Sequence, residues 1–556
     1  MLNRIAAALV LIGLSPPSVV SALGDAQRPK TAQVQGQVLN ALTNEPIRKA
    51  HVSLQRLDAK NPSIVTLTDS SGQFLLSDIE PGRYRLEAER TGYIRGAFGA
   101  KRIDGPGTAL VVEQGQQLRD LVFKLMPQSV IAGRVLDEDG EPVPDVHVQA
   151  LGFAYVRGKR QLDPVQDSVT DDLGEYRLHS LVPNHYLVSA TFRPRENPQA
   201  QNVGGKDGDS MALEETYAPT YFPNTVDPAR AGEISVAGGE QVRGIDLVLL
   251  RTPTARIRGR VTSALTARQD LNAVVTLFRN DAGSITGRSL AAVPDNRGNF
   301  EIRGVTPGGY ILFAQTREGS ARMPLDVYGS NINDVNLTIT ANLVVRGHMS
   351  LEGGPVQFDD RRVTVSLQPR DTSLSVIASS VKSDGTFLLS NVPADIYALN
   401  PRNLPEGYCV KEIHMGTSAI LDGTLNLTGS VAGLLDIALS RSGAELSGVV
   451  TDSETHNVPG ATVTLVPDKS RLNALYLYQT TVSDQYGGFS FRGIAPGDYS
   501  VYAWEVIDGG AYLDPDFLKT YESFGTALTV EEKSRENNLQ LKLIPAGTDG
   551  QSTKPQ

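Results

Sequence analysis

Apolar and polar residues alternate along many short segments of the chain. The segments 84–88, 186–190, 310–314 and 499–503 each carry an apolar residue at every second position. A period of two with one apolar face is typical of an antiparallel strand that is buried on one side. No segment shows sustained apolar positions at the helical period of 3.6 residues. The pattern therefore predicts an all-β protein.

These strands belong to a unit that occurs five times. Each copy has a glycine, any residue, an aromatic residue, nine residues and then a tyrosine. We predict that the aromatic residue and the tyrosine form the core of each copy: Phe74, Tyr84, Tyr176, Tyr186, Phe300, Tyr310, Phe387, Tyr397, Phe489 and Tyr499. An upstream strand in each copy carries a further glycine: Gly36, Gly133, Gly259, Gly347 and Gly448. The separations from this glycine to the aromatic residue are 38, 43, 41, 40 and 41 residues, which indicates one repeated fold.

Two turns recur between these strands. In four copies an Asp lies three residues before the glycine, as in TDSSGQF (68–74) and SDQYGGF (483–489). Asp side chains bond to nearby backbone amides and glycine accepts a positive φ, so the motif predicts a hairpin turn. A Pro-Gly turn such as EPGRY (80–84) ends the following strand. In the fourth copy Lys382 replaces the Asp and PAD (393–395) replaces Pro-Gly, so we expect looser hairpins there.

The same residues resemble the carboxypeptidase regulatory-like domain. That family's runs G-x-V, P-V-x-x-A-x-V, T-D-x-x-G-x-F and P-G-x-Y are similar to segments 36–52, 133–148 and 448–463 and to the turns above. The likeness is good in copies one, two and five, weaker in copy three and weakest in copy four. The resemblance implies a seven-stranded, transthyretin-like (prealbumin-like) Greek-key sandwich in each copy of a bacterial exported protein.

We therefore predict five tandem Greek-key β-sandwiches. The predicted segments are a signal peptide at 1–22, sandwiches at 31–127, 128–252, 253–341, 342–441 and 442–545, an insertion at 195–232 in the second sandwich, and a disordered tail at 546–556. The fourth sandwich is the degenerate one. We expect neighbouring sandwiches to share little interface and to unfold independently.

The first residues have the features of a signal peptide. Arg4 supplies a positive charge, 5–14 is an apolar run of ten residues, and 20–22 fits a cleavage site. Ten residues are too few to span a bilayer, and no later stretch approaches 18 apolar residues. We expect an exported protein that lies in the periplasm, at the cell surface or outside the cell, without a transmembrane span in the mature chain.

Composition and motifs argue against catalysis. A net charge of −10 disfavours nucleic acid as a partner, and the single cysteine, Cys409, excludes intrachain disulfides and cysteine metal sites. The chain has no H-E-x-x-H zinc motif, nucleophile elbow or P-loop. His51 and His147 are expected to face solvent rather than a metal, and the acidic run 137–141 to cap a turn rather than bind calcium. We predict a non-enzyme without cofactor or metal.

Two groups of aromatic residues are left over from the repeat. They are the candidate ligand-binding residues: Tyr502, Trp504 and Tyr512 in and after the last alternating strand of copy five, and Tyr217, Tyr221 and Phe222 in the insertion of copy two. Tyr502 and Trp504 alternate with inward Val501 and Ala503, so they should face outward. Either each insertion folds back over its own aromatics, or the rings form an exposed patch for a ligand or partner.

Two functions remain open at this point. The first is polysaccharide binding at the cell envelope, implied by the resemblance to starch-binding modules of the same fold and allowed by the two aromatic groups. The second is a structural stalk, a scaffold or a protein-interaction module of the cell surface with no glycan ligand. The partner is therefore a polysaccharide or an envelope protein, and the sequence does not indicate an oligomeric state.

Overall fold

A computed structural model describes residues 31–57, 63–192, 215–264, 272–281, 284–285, 289–352, 363–370, 374–405, 407–429 and 433–547. The predicted signal peptide, most of the predicted tail and residues 195–214 of the copy-two insertion lie outside these residues. Strands dominate the described chain, which confirms the all-β prediction.

The strands are numbered along the chain. Copy one contains β1 (Ala32–Asn40), β2 (His51–Arg56), β3 (Ile64–Leu67), β4 (Gln73–Ile79), β5 (Gly82–Glu89), β6 (Gly96–Ala97), β7 (Leu110–Val112) and β8 (Gln117–Leu125). Copy two contains β9 (Ser129–Leu136), β10 (Val146–Val156), β11 (Lys159–Val169), β12 (Glu175–Leu181), β13 (Asn184–Phe192), β14 (Glu215–Tyr217), β15 (Thr220–Tyr221), β16 (Ile234–Val236), β17 (Gln241–Val242), β18 (Leu247–Val248) and β19 (Arg251–Pro253). Copy three contains β20 (Ala255–Ser263), β21 (Val274–Asp281), β22 (Ser284–Ile285), β23 (Leu290–Ala292), β24 (Asn299–Val305), β25 (Gly308–Gln315), β26 (Gly319–Val327) and β27 (Ile332–Ala341).

The last two copies follow the same order. Copy four contains β28 (Leu343–Leu351), β29 (Thr364–Pro369), β30 (Ile377–Ser380), β31 (Thr386–Val392), β32 (Ile396–Arg402), β33 (Cys409–Met415), β34 (Ser418–Ala419), β35 (Thr424–Asn426) and β36 (Leu435–Ser440). Copy five contains β37 (Ala444–Thr451), β38 (Thr462–Pro467), β39 (Gln479–Val482), β40 (Gly488–Ile494), β41 (Gly497–Trp504), β42 (Thr526–Val530) and β43 (Arg535–Ile544). One short helix, α1, spans Pro515–Thr520, and 3-10 turns lie at Pro228–Arg230, Lys469–Arg471, Leu475–Leu477, Ala511–Leu513 and Glu522–Phe524.

Each copy repeats one strand arrangement in two layers. In one layer the first strand (β1, β9, β20, β28 or β37) lies between an antiparallel partner and a parallel partner. The parallel partner is the last strand of the copy in four copies, and in copy two it is the two short strands β17 and β18. In the other layer β2, β10, β21, β29 and β38 pair antiparallel with β5, β13, β25, β32 and β41. The two layers are joined into one continuous sheet in copies three and five.

The upstream glycine and the repeated aromatic residue are direct cross-strand partners. The pairs are Gly36 with Phe74, Gly133 with Tyr176, Gly259 with Phe300, Gly347 with Phe387 and Gly448 with Phe489. A Cβ atom on Gly36 or Gly448 would collide with the backbone carbonyl of the parallel strand, at Leu121 or Leu539. The near-constant separation in the sequence is therefore the length of chain between two paired residues.

The repeated tyrosine has the same partner in every copy. All five rings are buried, and each hydroxyl donates to the carbonyl four residues upstream: Tyr84 to Glu80 (2.8 Å), Tyr186 to Val182 (2.7 Å), Tyr310 to Thr306 (2.8 Å), Tyr397 to Pro393 (2.7 Å) and Tyr499 to Ala495 (2.8 Å). Burying a hydroxyl is unfavourable unless it is hydrogen-bonded, and this bond also fixes the turn to the strand that follows it. The five paired aromatic residues are likewise buried.

The Asp turns differ in copy four. In copy one Asp69 accepts bonds from the amides of Ser71 and Gln73, both at 2.9 Å. In copy four the side-chain acceptor moves to Asp384, which accepts from the Thr386 amide at 2.9 Å, while Lys382 keeps only backbone bonds in the turn. The hairpin of copy four therefore forms with fewer side-chain hydrogen bonds than that of copy one. Copy four nonetheless has a cluster of buried apolar residues that begins with Val345.

Neighbouring copies share more interface than expected from the sequence. A large hydrophobic cluster lies within each copy, and the domain bounds given above stay a prediction. Cys409 at the start of β33 in copy four is buried in the core cluster of copy five. Tyr476 of copy five packs against the clusters of both copies. The expectation of little interface is wrong for this pair, because side chains of each copy complete the core of the other.

Candidate functional site

The surplus aromatic residues of copy five form one cluster, which we call the aromatic cluster. Its rings are Tyr478, Tyr502, Trp504, Tyr512, Phe517 and Tyr521. Trp504 stacks on Tyr502 with 5.4 Å between ring centroids and meets the edge of Tyr521 at 4.8 Å. The indole N–H donates to the Thr464 hydroxyl at 3.0 Å, which satisfies the one polar group of the buried ring.

The segment after β41 covers these rings. Trp504 is 2% exposed and Tyr502 is 5% exposed, so the expectation that they face outward to solvent is wrong. Val501 and Ala503 point into the core of copy five as predicted. Tyr502 and Trp504 lie on the opposite face of the strand, where α1 and its flanking 3-10 turns pack on them. The first of the two alternatives, an insertion that folds back over its own aromatics, therefore describes this region.

Local bonds hold that segment in place. The Asp514 carboxylate accepts the Asp516 amide at 2.9 Å and caps α1, whose first residue is Pro515. Lys469 pairs with Glu522 at 2.7 Å on the far side of the segment. Burial raises the pKa of the Tyr478 hydroxyl, so this group stays protonated at neutral pH.

A hairpin of copy two reaches this segment. The ring of Tyr155, near the tip of the β10–β11 hairpin, meets Phe517 at 5.7 Å between centroids. The backbone at Gly158 approaches the Leu513 carbonyl so closely that a Cβ atom there would lie 2.5 Å from that oxygen. Arg157 donates to the Pro369 carbonyl of copy four at 3.4 Å. The hairpin thus connects copies two, four and five.

The aromatics of the copy-two insertion are also largely covered. Tyr221 is 3% exposed and packs with Leu151, Leu162 and Leu187 in a small cluster. Tyr217 and Phe222 are partly buried against the core of copy two. A ligand-binding role for Tyr217, Tyr221, Phe222, Tyr502, Trp504 and Tyr512 stays a prediction. In this conformation Tyr221, Tyr502 and Trp504 do not offer a ring face to a ligand.

The histidine and acidic residues that could have been metal ligands make local contacts within their own copies. His51 is exposed, whereas the His147 side chain is only 12% exposed and pairs with Asp167 at 3.2 Å, so His147 is less solvated than expected. Asp137, in the acidic run, accepts the amides of Asp139 and Glu141 at 3.0 and 2.9 Å and so caps its turn. Among the described residues, no three His, Cys, Asp or Glu side chains gather as metal ligands would.

The described part of the chain contains no helix that is both long and apolar enough to cross a membrane.

Comparison with known proteins confirms the family resemblance for two copies. Residues 33–125 and 445–506 match the model of the carboxypeptidase regulatory-like domain. These segments cover copy one and the first part of copy five, two of the copies in which the motif is best preserved. Copies one and five therefore contain the sequence of a carboxypeptidase regulatory-like domain.

Similarity to whole proteins is more limited. Serine-aspartate repeat-containing protein D of Staphylococcus aureus (strain Newman) is 25% identical over 175 residues, which is 28% of this chain and 13% of that protein. The Streptococcal ancillary pilin is 10% identical, over 52% of this chain and 98% of that chain, with a TM-score of 0.17. BcpA, the major pilin subunit of Bacillus cereus, is 11% identical, over 56% and 100%, with a TM-score of 0.15.

Proposed function

We propose that the protein is an exported, non-catalytic scaffold of the cell envelope or cell surface, in which the sandwiches hold one another in a fixed arrangement. The observation that carries this proposal is the use of the surplus aromatic residues. Phe517 and its neighbours join copy five to the Tyr155 hairpin of copy two, and Trp504 is buried beneath them. Residues that the repeat does not need thus serve contacts between copies.

The similarity findings support the same function. In the carboxypeptidases that carry a domain of the matched family, this domain is a non-catalytic appendage. The staphylococcal relative is itself a repeat-containing protein by name, although this chain spans only about an eighth of its length. A scaffold also needs defined geometry between its units, and shared side chains such as Cys409 between copies four and five supply it. An envelope protein is the partner class that fits this role.

Polysaccharide binding is the second candidate. Phe524 lies beside Tyr521, 6.2 Å between centroids, and is 43% exposed. Tyr512 is partly buried at the edge of the aromatic cluster. An exposed ring beside a rigid cluster can stack on a sugar, so this edge is where a glycan would bind.

One experiment with two readouts tests the proposal. The full chain, with residues 1–22 intact, is expressed in a bacterial host and followed by fractionation and by protease treatment of whole cells. The purified protein is then passed over insoluble polysaccharides. We expect recovery outside the cytoplasm and no retention by any polysaccharide. Retention that Phe524→Ala abolishes and Phe153→Ala preserves would instead favour the glycan function; a protein confined to the cytoplasm would contradict both.

A further inference from the structure

Copy one contacts copy five, although the contacting residues are far apart in the chain. The Gln485 side chain accepts the Val111 amide at 2.9 Å and donates to the Val111 carbonyl at 2.8 Å. Ala109 forms an isolated parallel bridge with Asp484. A primary amide has one acceptor and one donor group, which match the C=O and N–H of a strand edge. Gln485 therefore continues the outer edge of β7 as a neighbouring strand would.

Charged and polar groups surround this contact. Arg83 donates to the Ser490 hydroxyl at 3.1 Å, and Arg102 pairs with Asp508 at 2.8 Å. We call this set of contacts the clasp. Its residues are Arg83, Arg102, Ala109 and Val111 on copy one, and Asp484, Gln485, Ser490 and Asp508 on copy five. One pair of opposite charges, Arg102 on copy one and Asp508 on copy five, thus lies within a contact that is otherwise made of hydrogen bonds.

The surface of copy five that carries Gln485, which we call the receiving face, differs from the equivalent surface of the other copies. The residues at the position of Gln485 in the other copies are Ser70, Asp172, Asn296 and Ser383. Ser and Asp side chains cannot present both an amide donor and a carbonyl acceptor, and Asn is shorter by one methylene. The equivalent face of copy one forms an open cleft of about 580 Å³ beside Leu75. That of copy two forms an open cleft of about 380 Å³ beside Arg177. Only copy five combines this face with a glutamine.

The clasp joins two different surfaces of the molecule. Such a heterologous contact closes on itself within one chain, and between chains it repeats head to tail. The clasp consists of hydrogen bonds and one ion pair whose partners keep access to water, 39% exposed for Arg102 and 56% for Asp508. Beside it, Gly460 of copy five packs closely against Gly99 and Thr108 of copy one. Interfaces between domains of one chain are commonly of this polar, separable kind.

We propose that the clasp can also form between two molecules of this protein. Copy one of the first molecule then binds copy five of the second, and the molecules join head to tail. Within one chain the two faces are held at high effective concentration, so the closed monomer dominates in dilute solution. Joining increases as the protein concentration rises. The proposal goes beyond the scaffold function and depends only on this chain, not on where the protein is located.

Two variants, each lacking one face, test the exchange. Gln485→Ala with Asp508→Ala removes the receiving face and keeps the face on copy one. Arg83→Ala with Arg102→Glu keeps the face on copy five and weakens the face on copy one, because it removes the bond to Ser490 and places a second negative charge opposite Asp508. Each variant alone should be monomeric by light scattering and should have a larger radius of gyration than the wild type by small-angle X-ray scattering. An equimolar mixture should double the mass, because each pair then has one intact contact.

Two single substitutions serve as controls. Ser70→Ala and Asp172→Ala, at the equivalent turn position of copies one and two, should leave mass and radius unchanged. A mixture that stays monomeric at every concentration overturns the exchange, as do single variants that keep the wild-type radius. If a variant fails to fold, Arg102→Cys and Asp508→Cys chains are mixed and treated with a bismaleimide, since native Cys409 is only 3% exposed. The absence of a cross-linked dimer then overturns the proposal.

Discussion

At the scale of single residues, the strand glycine explains the spacing of the repeat. Gly448 lies opposite Phe489 on one side and beneath the Leu539 carbonyl on the other. The sequence revealed that this glycine recurs at a near-constant distance from the aromatic residue. It did not reveal the reason, because the carbonyl that excludes a Cβ atom belongs to a strand about 90 residues later in the chain.

Gly448→Ala should destabilise copy five, because the new methyl group must displace the Leu539 backbone. Overpacking of this kind costs about 1–3 kcal/mol. Chemical denaturation followed by circular dichroism measures the change. Gly509→Ala is the matched control in the same copy, since nothing lies within 4 Å of a Cβ atom there, and it should change stability by less than about 0.5 kcal/mol. Equal effects of both substitutions would contradict the role given to the carbonyl.

At the scale of elements, alternation identified the faces of β41 but not what covers them. Val501 and Ala503 point inward, as the pattern predicted. Tyr502 and Trp504 lie on the other face, yet they are buried, because a segment 10 to 20 residues further along the chain folds over them. Alternation with a period of two shows which residues share a face of a strand. It does not show that a later segment covers this face, because that segment is irregular and has no periodic pattern.

The single tryptophan reports on this cover. Emission of Trp504 should be blue-shifted and poorly quenched by acrylamide, because the ring is 2% exposed. Tyr155→Ala should raise the quenching constant, since Tyr155 packs on Phe517, which in turn contacts Trp504. Phe153→Ala, in the same hairpin but already 43% exposed, is the control and should leave quenching unchanged. Wild-type quenching as strong as that of the unfolded chain would show that the cover is absent.

At the scale of the whole molecule, the copies are coupled unequally. Copies four and five share core residues through Cys409 and Tyr476, whereas copies one and five meet through the polar contacts of the clasp. The sequence predicted the fold of each copy because that information is repeated five times. It could not predict the contacts between copies, since each depends on single residues such as Gln485 that occur in one copy only.

Phe489→Ala should therefore affect more than its own copy. Emptying this core position costs about 3–5 kcal/mol, and the loss should spread to β33 of copy four, whose Cys409 lies in the same cluster. Hydrogen exchange measured by mass spectrometry should show faster exchange in peptides from copy five and from β33. Peptides from copy two should be unchanged, and Phe74→Ala should accelerate exchange in copy one without affecting β33. Full protection of β33 in Phe489→Ala would restore the independent behaviour expected from the sequence.

The parallel pairing of the first and last strands has a consequence for the order of folding. In copy one, Gly36 pairs with Leu121, so the first layer cannot close until about 85 further residues have been made or have crossed a membrane. Contacts of such long sequence separation form slowly. A chain that crosses a membrane from its N-terminus would thus emerge with each sandwich open, and each would close when its own final strand arrives. The copies would fold one after another, and the clasp would form last.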